Sequence, residues 1–403
     1  MSSAYRRRPL LARLALLTAL SATAATLAAC DGSGYQPDGN DGAAADKTTA
    51  AAAAEPTITM NVKRGATQVP VNRRVKVTAQ GGTLTKVVVR SGKTVIDGKI
   101  KGQRWVASEL LEPGVRYRVR AVAKNDAGTA TDSVSGFTTT ALTLDEQTYP
   151  SVAPLQGETV GVGMPVVVHF DRPVTNKASI EKHMSVTATP VQKGSWRWVG
   201  DHEAHWRPKS YWKAGSKVSV DVDINSIPAG DGIYGQEDRK SDFNVGDAHI
   251  YRVNAQTHQL KVFSNGKLLR TMPTTTGKSG FTTRSGVKVI MEKFASRRMN
   301  SETVGIPRNS SEAYDIDDVQ WAMRITSSGE LIHAAPWSVG SQGHANVSHG
   351  CTGLSTSNAD WLYHMTLRGD VVKTVGTDRS MEPDNGWGEW NLSWADYKAG
   401  SAL

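Results

Sequence analysis

Apolar and polar residues alternate with a period of two along much of this chain, as they do in half-buried β-strands. Residues 75–79 and 117–123 show the alternation most clearly. Helical periodicity is clear over one stretch, residues 357–367, where Asn358 is placed to cap the first turn. The pattern therefore predicts a mostly β fold with few helices.

The length of 403 residues is enough for several domains. Residues 57–141 contain Leu111-Glu112-Pro113-Gly114 followed by Tyr117, which resembles the tyrosine corner of an immunoglobulin-like sandwich. We predict such a β-sandwich module here. We predict a second one over residues 142–246, where the strand pattern continues.

Tryptophans are concentrated in the second module and in the C-terminal tail. Trp196 and Trp198 alternate along a predicted strand, so they point to one side of a sheet. We interpret them as core or interdomain packing, and a sugar-binding face is the alternative. The tail, residues 378–403, holds three more tryptophans and is predicted to pack on the domains as a clasp.

A third β-rich unit is predicted over residues 247–377. The unit opens with residues 251–254, and a strand predicted over residues 260–264 then leads into the dipeptide Asn265-Gly266, which is typical of a two-residue hairpin turn. Further strands are predicted over residues 287–291 and 329–333. This unit also contains the predicted helix.

The first 29 residues are typical of an export signal, with Arg6 to Arg8 preceding a short apolar run. The run ends in Leu27-Ala28-Ala29-Cys30, which resembles a bacterial lipoprotein cleavage box whose cysteine becomes acylated; an ordinary cleavage site is the alternative. Residues 30–56 are rich in small and polar residues and predict a flexible tether. We expect a lipoprotein on the outer face of the cytoplasmic membrane, facing the cell wall.

The formal net charge of +9 changes this picture little. Four arginines fall within the first 29 residues, which leaves +5 for the remainder of the chain. A mild, dispersed excess suits an anionic wall or membrane surface. Nucleic-acid binding would need a concentrated basic stripe, so we expect no nucleic-acid partner.

The chain has two cysteines, and if Cys30 carries lipid then Cys351 has no disulfide partner. Three histidines, His333, His344 and His349, lie within 20 residues of Cys351. A cysteine nucleophile needs a base within hydrogen-bond reach. His333 ends an apolar strand and can be held rigidly, so it is the preferred base.

Small residues surround the thiol in the segment 348–353. They would let a substrate carbonyl approach the amides of Gly350, Cys351 and Thr352, which would form an oxyanion hole. A zinc site built from the nearby histidines and the cysteine is one alternative, although the spacing lacks compact ligand pairs. A small, buried, inert cysteine is the other.

The stretch Ile332-His333-Ala334-Ala335-Pro336-Trp337-Ser338, followed by Ser348-His349-Gly350-Cys351, resembles the active-site signature of L,D-transpeptidases, which cross-link peptidoglycan. The resemblance is closest to actinobacterial multi-domain forms and extends over nearly the whole mature chain. It implies two immunoglobulin-like modules followed by a β-rich catalytic domain over residues 247–377. It also implies that Cys351 is the nucleophile and His333 the general base.

The resemblance assigns supporting residues as well. The main-chain carbonyl of Ala334 would orient the base, and His349 and Gly350 would shape the site beside the thiol. Gly353 stands where many members have an arginine or asparagine, so its side chain cannot anchor a carboxylate. The residues implied to line the substrate pocket or support its turn are Tyr314, Trp337, Ser338, Ser348 and Thr352.

The implied reaction is a two-step acyl transfer that needs no cofactor and no metal. Cys351 would attack the carbonyl between a diamino acid and the terminal D-Ala of a tetrapeptide stem, giving a thioester. The side-chain amine of a second stem would then form a cross-link between two third-position residues. A β-lactam of the carbapenem type would acylate the same thiol.

Three other functions remain open from the sequence. Water as acceptor would make the chain an L,D-carboxypeptidase. A cysteine protease would share the Cys–His chemistry, but its base is usually oriented by a side chain, whereas Ala334 follows His333 here. A non-catalytic wall-binding lipoprotein would have no use for the Cys351–His333 pair.

Overall fold

The computed structural model describes residues 54–403, so the predicted export signal, Cys30 and nearly all of the predicted tether lie outside the described residues. The described chain is mostly β, as the sequence predicts, and its strands form seven sheets within these residues. In this part of the chain, no helix has both the length and the apolar character that crossing a membrane requires.

The first sandwich consists of two four-stranded sheets, in the orders β1-β2-β6-β5 and β4-β3-β7-β8. Its strands are β1 (Thr57–Met60), β2 (Lys76–Gln80), β3 (Thr83–Ser91), β4 (Thr94–Ile96), β5 (Gly98–Lys101), β6 (Arg104–Ala107), β7 (Arg116–Lys124) and β8 (Ala130–Thr138). Trp105 and Tyr117 are buried in its core. The Tyr117 hydroxyl accepts a hydrogen bond from the Glu112 amide at 2.9 Å, which forms the tyrosine corner that the sequence predicts.

The second sandwich has sheets in the orders β10-β12-β15-β14 and β11-β19-β16-β13, with a small third sheet, β17-β18-β9. Its elements are β9 (Gln147–Thr148), β10 (Pro150–Ala153), β11 (Thr159–Val160), β12 (Val166–Phe170), α1 (Lys177–Glu181), β13 (Met184–Thr189), β14 (Gly194–Val199), β15 (Glu203–Pro208), β16 (Lys217–Val222), β17 (Pro228–Gly230), β18 (Ile233–Gly235) and β19 (Arg239–Val245). Trp196 and Trp198 on β14 are buried in its core, so they serve packing. The Ser226 hydroxyl donates to the Leu111 carbonyl at 2.7 Å and joins the two sandwiches.

The third unit has a five-stranded sheet, β22-β21-β20-β28-β23, and a four-stranded sheet, β24-β25-β26-β27. Its elements are β20 (His249–Asn254), β21 (Gln259–Ser264), β22 (Lys267–Pro273), β23 (Gly286–Val289), β24 (Glu292–Asn300), β25 (Asp315–Arg324), β26 (Leu331–Ala334), β27 (Thr352–Leu354), α2 (Thr356–Met365) and β28 (Val371–Val375). Buried apolar residues of both sheets and α2 form one core. That core fixes β26 and β27, the two strands that carry the candidate site.

The predicted hairpin turn is present, and the predicted helix cap is wrong. Asn265 and Gly266 have φ of +48° and +83° between β21 and β22, as a two-residue turn of this kind requires. Helix α2 is capped by Ser355, whose hydroxyl accepts from the Asn358 amide at 3.3 Å. Asn358 therefore lies inside the first turn, because Ser355 already has the extended backbone that a cap needs.

The C-terminal tail contacts both the second sandwich and the third unit. The Trp390 Nε1 group donates to the Gly163 carbonyl at 2.8 Å, next to the second sandwich. The Asn391 side-chain amide donates to the Val287 carbonyl on β23 at 2.7 Å. A short helix, α3 (Trp394–Lys398), follows and packs against β14.

Candidate active site

His333 is held rigidly on β26 and is 5% exposed. Its Nδ1 lies 2.7 Å from the Ala334 carbonyl oxygen. A carbonyl can only accept, so Nδ1 carries the proton and Nε2 is free to accept one. Burial lowers the pKa of His333 below its usual value, and the Ala334 hydrogen bond opposes this shift. The imidazole is therefore neutral near pH 7, as a general base must be.

Cys351 directly precedes β27, which pairs in parallel with β26 so that His333 lies opposite Gly353. Paired strands are about 4.8 Å apart, so the register brings the Cys351 turn alongside the histidine. Cys351 is partly exposed, and its thiol lies 3.8 Å from the Gly329 carbonyl oxygen.

The surroundings of Cys351 favour the protonated thiol. Burial has the largest effect and raises the pKa of the Cys351 thiol to about 11. A main-chain hydrogen bond from Leu331 opposes this shift. Of the two nearby charges, Glu330 raises the pKa and Lys288 lowers it. At neutral pH the site therefore holds a neutral thiol and a neutral imidazole. Proton transfer to His333 must accompany nucleophilic attack.

The turn before the cysteine is fixed by Ser348. The Ser348 hydroxyl donates to the Cys351 carbonyl at 2.6 Å and accepts from the Gly350 amide at 3.1 Å. The Gly350 carbonyl accepts from the Thr283 hydroxyl at 2.8 Å. The Gly350 amide is thus already engaged, which corrects the prediction that it serves the oxyanion hole. The Cys351 amide has no hydrogen-bond partner among residues 54–403 and is available for that role.

His349 joins the turn to the segment that precedes β25. Its Nε2 lies 2.7 Å from Glu312, whose carboxylate also contacts the Lys278 ammonium at 2.5 Å. Its ring packs against Phe281 and Tyr314, with ring centroids 4.7 Å and 5.2 Å away. His349 therefore shapes the wall beside the thiol.

Two cavities meet at Cys351. One has a volume of about 370 Å³ and includes His333 in its lining. The other, of about 510 Å³, is lined by four arginines and does not include His333. Cys351, Met299 and Tyr314 line both cavities, so the thiol can be approached from two sides.

Most predicted site residues are brought together around the smaller cavity. Those that line it are Tyr314, His333, Trp337, Ser338, Ser348, His349 and Cys351. Ala334 contributes through its carbonyl, as described above. The Thr352 side chain is different, because it is fully buried and lines neither cavity, so its predicted contact with substrate is not found.

Sequence reasoning missed a group of buried charges behind the thiol. Glu330 accepts from the Arg284 guanidinium at 3.0 Å and from the Lys288 ammonium. Lys288 is fully buried on β23, and burial lowers its pKa. The one indication of these buried charges in the sequence is Lys288, a charged residue between Val287 and Val289 in a predicted strand.

Gly353 leaves no room for a side chain. A Cβ atom there would lie 2.9 Å from the Thr275 methyl and 3.1 Å from the Ala335 Cβ. Both Thr275 and Ala335 line the cavity that contains His333. The glycine therefore lets the floor of this cavity pack closely beside the thiol.

Metal binding was an alternative interpretation of these histidines. Within residues 54–403, no three side chains of His, Cys, Asp or Glu are grouped closely enough to hold one metal ion. Cys351 forms no disulfide in this part of the chain.

Comparison with known proteins gives a consistent result. Residues 66–228, which span strands of both sandwiches, match the bacterial Ig domain family. Residues 248–374 match the L,D-transpeptidase catalytic domain family, YkuD. The solved structure of the L,D-transpeptidase LdtMt1 in complex with imipenem is 39% identical with a TM-score of 0.50, covering 56% of this chain and 97% of that one.

Relatives are found along almost the whole length. L,D-transpeptidase 1 of Mycobacterium tuberculosis (strain ATCC 25618 / H37Rv) is 38% identical, over 56% of this chain and 84% of that protein. L,D-transpeptidase 2 of Mycobacterium tuberculosis (strain CDC 1551 / Oshkosh) is 37% identical over 395 residues, which cover 97% of this chain and 96% of that protein. The chain therefore belongs to the L,D-transpeptidase family and is a transpeptidase.

Proposed function

We propose that this transpeptidase forms 3-3 cross-links between peptidoglycan stems through a thioester on Cys351. The observation that supports this most directly is that Cys351 and His333 line one cavity within the matched catalytic domain. The fixed Nδ1–H of His333 leaves Nε2 as the base for the thiol proton.

In the first half-reaction, His333 Nε2 takes the proton of the Cys351 thiol as the sulfur attacks the carbonyl carbon between the diamino acid and D-Ala. The Cys351 amide stabilises the resulting oxyanion. The C–N bond then breaks, and the protonated His333 gives its proton to the departing D-Ala amine. A thioester between Cys351 and the shortened donor stem remains.

In the second half-reaction, the side-chain amine of an acceptor stem attacks the thioester carbonyl. His333 takes the proton from this amine, the C–S bond breaks, and the proton returns to the Cys351 sulfur. A new amide joins the third-position residues of the two stems. Water in place of the amine would release a tripeptide, so L,D-carboxypeptidase activity is the competing outcome at the same site.

The proposal is tested by incubating the protein with a tetrapeptide stem and separating the products. We expect a cross-linked dimer and free D-Ala from the unmodified protein, and neither from Cys351→Ala or His333→Gln. Tripeptide without dimer would replace cross-linking by carboxypeptidation. Binding of the protein to the cell wall without formation of either product would favour the non-catalytic function and contradict the proposal.

Two further parts of the proposal concern inhibition and location. Because the solved relative is a complex with imipenem, we propose that carbapenems bind at this site and acylate Cys351. We also propose that Cys30 is lipidated and holds the enzyme on the outer face of the cytoplasmic membrane. Radiolabelled palmitate incorporated into the protein, and lost in Cys30→Ala, would support the anchor; unlabelled protein in cells would contradict it.

A further inference from the structure

The positive charge of the chain is concentrated in the first sandwich. Residues 57–141 contain 15 lysines and arginines and five acidic residues, which gives a formal net charge of +10, whereas the whole chain carries +9. All other residues together therefore sum to −1. The expectation of a dispersed charge is thus wrong, because one module carries the entire excess. Such an asymmetry creates a local field that attracts anionic surfaces.

Much of this charge lies on the outward face of the sheet β4-β3-β7-β8. Arg116, Arg118 and Arg120 alternate along β7 with the buried residues Tyr117 and Val119. Side chains at alternate positions of a strand point to the same face of the sheet. The three arginines therefore share the face that is turned away from the core.

The strand register extends this face onto β3. Arg90 lies directly opposite Arg118, and Lys86 lies opposite Val122, which follows Arg120 by two residues. We define the basic face by its exposed lysines and arginines, which are Lys86, Arg90, Arg116, Arg118, Arg120 and Lys124. Like charges directly opposite each other destabilise a sheet, so the Arg90–Arg118 pair opposes folding.

Four arginines at this face have no acidic partner. Arg64, Arg90, Arg116 and Arg118 line one cavity of about 880 Å³, and its lining contains no Asp or Glu. Among residues 54–403, none of the four forms an ion pair or donates a side-chain hydrogen bond. Arg120 differs, because it contacts Asp132 at 2.6 Å. The four unpaired guanidinium groups are thus available to an anionic partner.

Exposed valines lie among these basic residues. Val134 on β8 lies opposite Arg120, and Val95 on β4 lies opposite Arg90. The two valines are 39% and 51% exposed. Basic groups with apolar neighbours suit the surface of an anionic bilayer, where the charges meet phosphate headgroups and the apolar groups leave water. A hydrophilic phosphate polymer of the wall would satisfy the charges alone.

The position of the first sandwich in the chain also favours a membrane. Strand β1 begins at Thr57, which is 27 residues after Cys30, the proposed site of lipidation. Covalent geometry limits an extended chain of this length to about 100 Å. Of the three units, the first sandwich is therefore joined most directly to the proposed anchor.

We infer that the basic face of the first sandwich binds the anionic lipid headgroups of the membrane surface. The choice of a membrane as partner rests on the proposed lipid anchor, whereas the face itself is built from described residues. The anchor and the face act together, because a second contact with the same membrane is intramolecular and strengthens the first. Two contacts also orient the sandwich with the sheet β4-β3-β7-β8 towards the lipid.

The test measures sedimentation of the full chain with lipid vesicles. The parent protein carries Cys30→Ala, so that no lipid modification contributes to binding. One set of vesicles contains phosphatidylcholine alone, and the other contains about one-third phosphatidylglycerol, which gives an anionic surface. We expect preferential binding to the anionic vesicles and loss of this preference at high salt, because salt screens the attraction.

The decisive variant combines Arg64→Gln, Arg90→Gln, Arg116→Gln and Arg118→Gln. Each basic residue at an anionic leaflet strengthens binding by about fivefold, so this variant should bind the anionic vesicles at least about tenfold more weakly than the parent. The matched control also removes four positive charges from exposed positions, with Lys193→Gln, Lys209→Gln, Lys261→Gln and Lys267→Gln. The control should bind as the parent does.

Both variants should keep the thermal unfolding midpoint of the parent and its rate of D-Ala release from a tetrapeptide stem. Equal binding of the parent to both kinds of vesicle, or an equal loss in both variants, would overturn the inference. Sedimentation with isolated phosphate-rich cell walls but not with vesicles would assign the face to a wall polymer and overturn it as well. Absence of D-Ala release would contradict the proposed reaction and leave the vesicle result unchanged.

Discussion

The chemistry of the site depends on the protonation of two side chains, the Cys351 thiol and the His333 imidazole. Burial raises the pKa of the thiol to about 11 and lowers that of the imidazole. Both groups are thus neutral at pH 7 in the absence of substrate. This differs from enzymes that store a preformed thiolate next to a cationic histidine.

The first prediction concerns the reactivity of this thiol. Iodoacetamide reacts with the thiolate, so alkylation of Cys351 should accelerate about tenfold per pH unit between pH 7 and 10, as for any thiol far below its pKa. Mass spectrometry of the alkylated protein at each pH gives the rate. A plateau between pH 6 and 8 would show a preformed thiolate and contradict the neutral pair.

The second prediction concerns the buried charges behind the thiol. Glu330 contacts both the Arg284 and the Lys288 cations, which are buried, and Arg284 has Glu382 as a second acidic partner. Glu330→Gln would leave those cations without that partner and should lower the free energy of unfolding by about 3 kcal/mol in urea titrations. Glu237→Gln, which removes a surface partner of Arg239, should change it by less than about 1 kcal/mol.

Among the secondary-structure elements and turns, short sequence patterns predict the structure correctly where residues close together in the sequence determine it. The Asn265-Gly266 turn and the Tyr117 corner follow from short sequence rules and are both present. The cap of α2 was misassigned because Ser355 competes with Asn358 and the better position depends on where β27 ends. Strands β26 and β27 pair in parallel although an intervening segment separates them in the sequence. The period-two pattern of a strand does not indicate which other strand it pairs with.

The site residues also fall into two groups: those that a short sequence motif predicts, and those whose position depends on tertiary packing. The motif residues Cys351, His333 and Ser348 were predicted from the sequence and lie together. The arginines that line the larger cavity were not, because their position depends on how the neighbouring segments lie next to the cysteine turn. A charged residue on a strand is usually solvated, and the sequence does not distinguish that case from a cavity lining.

The third prediction concerns the close packing around Gly353, in the middle of β27 and opposite His333 on β26. Gly353→Ala would place a methyl group against the Thr275 side chain, which is fixed by hydrogen bonds to the Ala345 carbonyl and the Val347 amide. We expect a loss of about 1–3 kcal/mol in unfolding free energy. Gly340→Ala is the control, because a Cβ atom there meets nothing within 4 Å. Equal stability of the two variants would contradict the packing argument.

At the scale of the whole molecule, the tail joins the second sandwich to the catalytic sheets through buried polar contacts. The Arg207 guanidinium lies 4.2 Å from the Tyr397 ring and 4.4 Å from the Trp390 ring. His205 lies 3.1 Å from Glu389 in the tail, and both side chains are buried. Burial by itself would lower the pKa of His205, but Glu389 and Glu203 outweigh it and raise the pKa to about 9.

The fourth prediction follows from this raised pKa. Protonated His205 stabilises the folded state fully below its unfolded pKa of about 6.5, and this contribution is lost as the pH rises through about 9. Glu389→Gln should therefore lower the thermal unfolding midpoint more at pH 6 than at pH 9.5. An identical decrease at both pH values would show that the His205–Glu389 contact carries no charge interaction.

In the proposed reaction, Cys351 carries the acyl group between two stems. Intact-protein mass spectrometry during turnover with a tetrapeptide stem tests it most directly, followed by peptide mapping of the adduct. We predict a mass increase equal to the stem without its D-Ala, located on Cys351 and removed when an acceptor amine is added. Cross-linked product formed without any adduct, or an adduct on another residue, would contradict it.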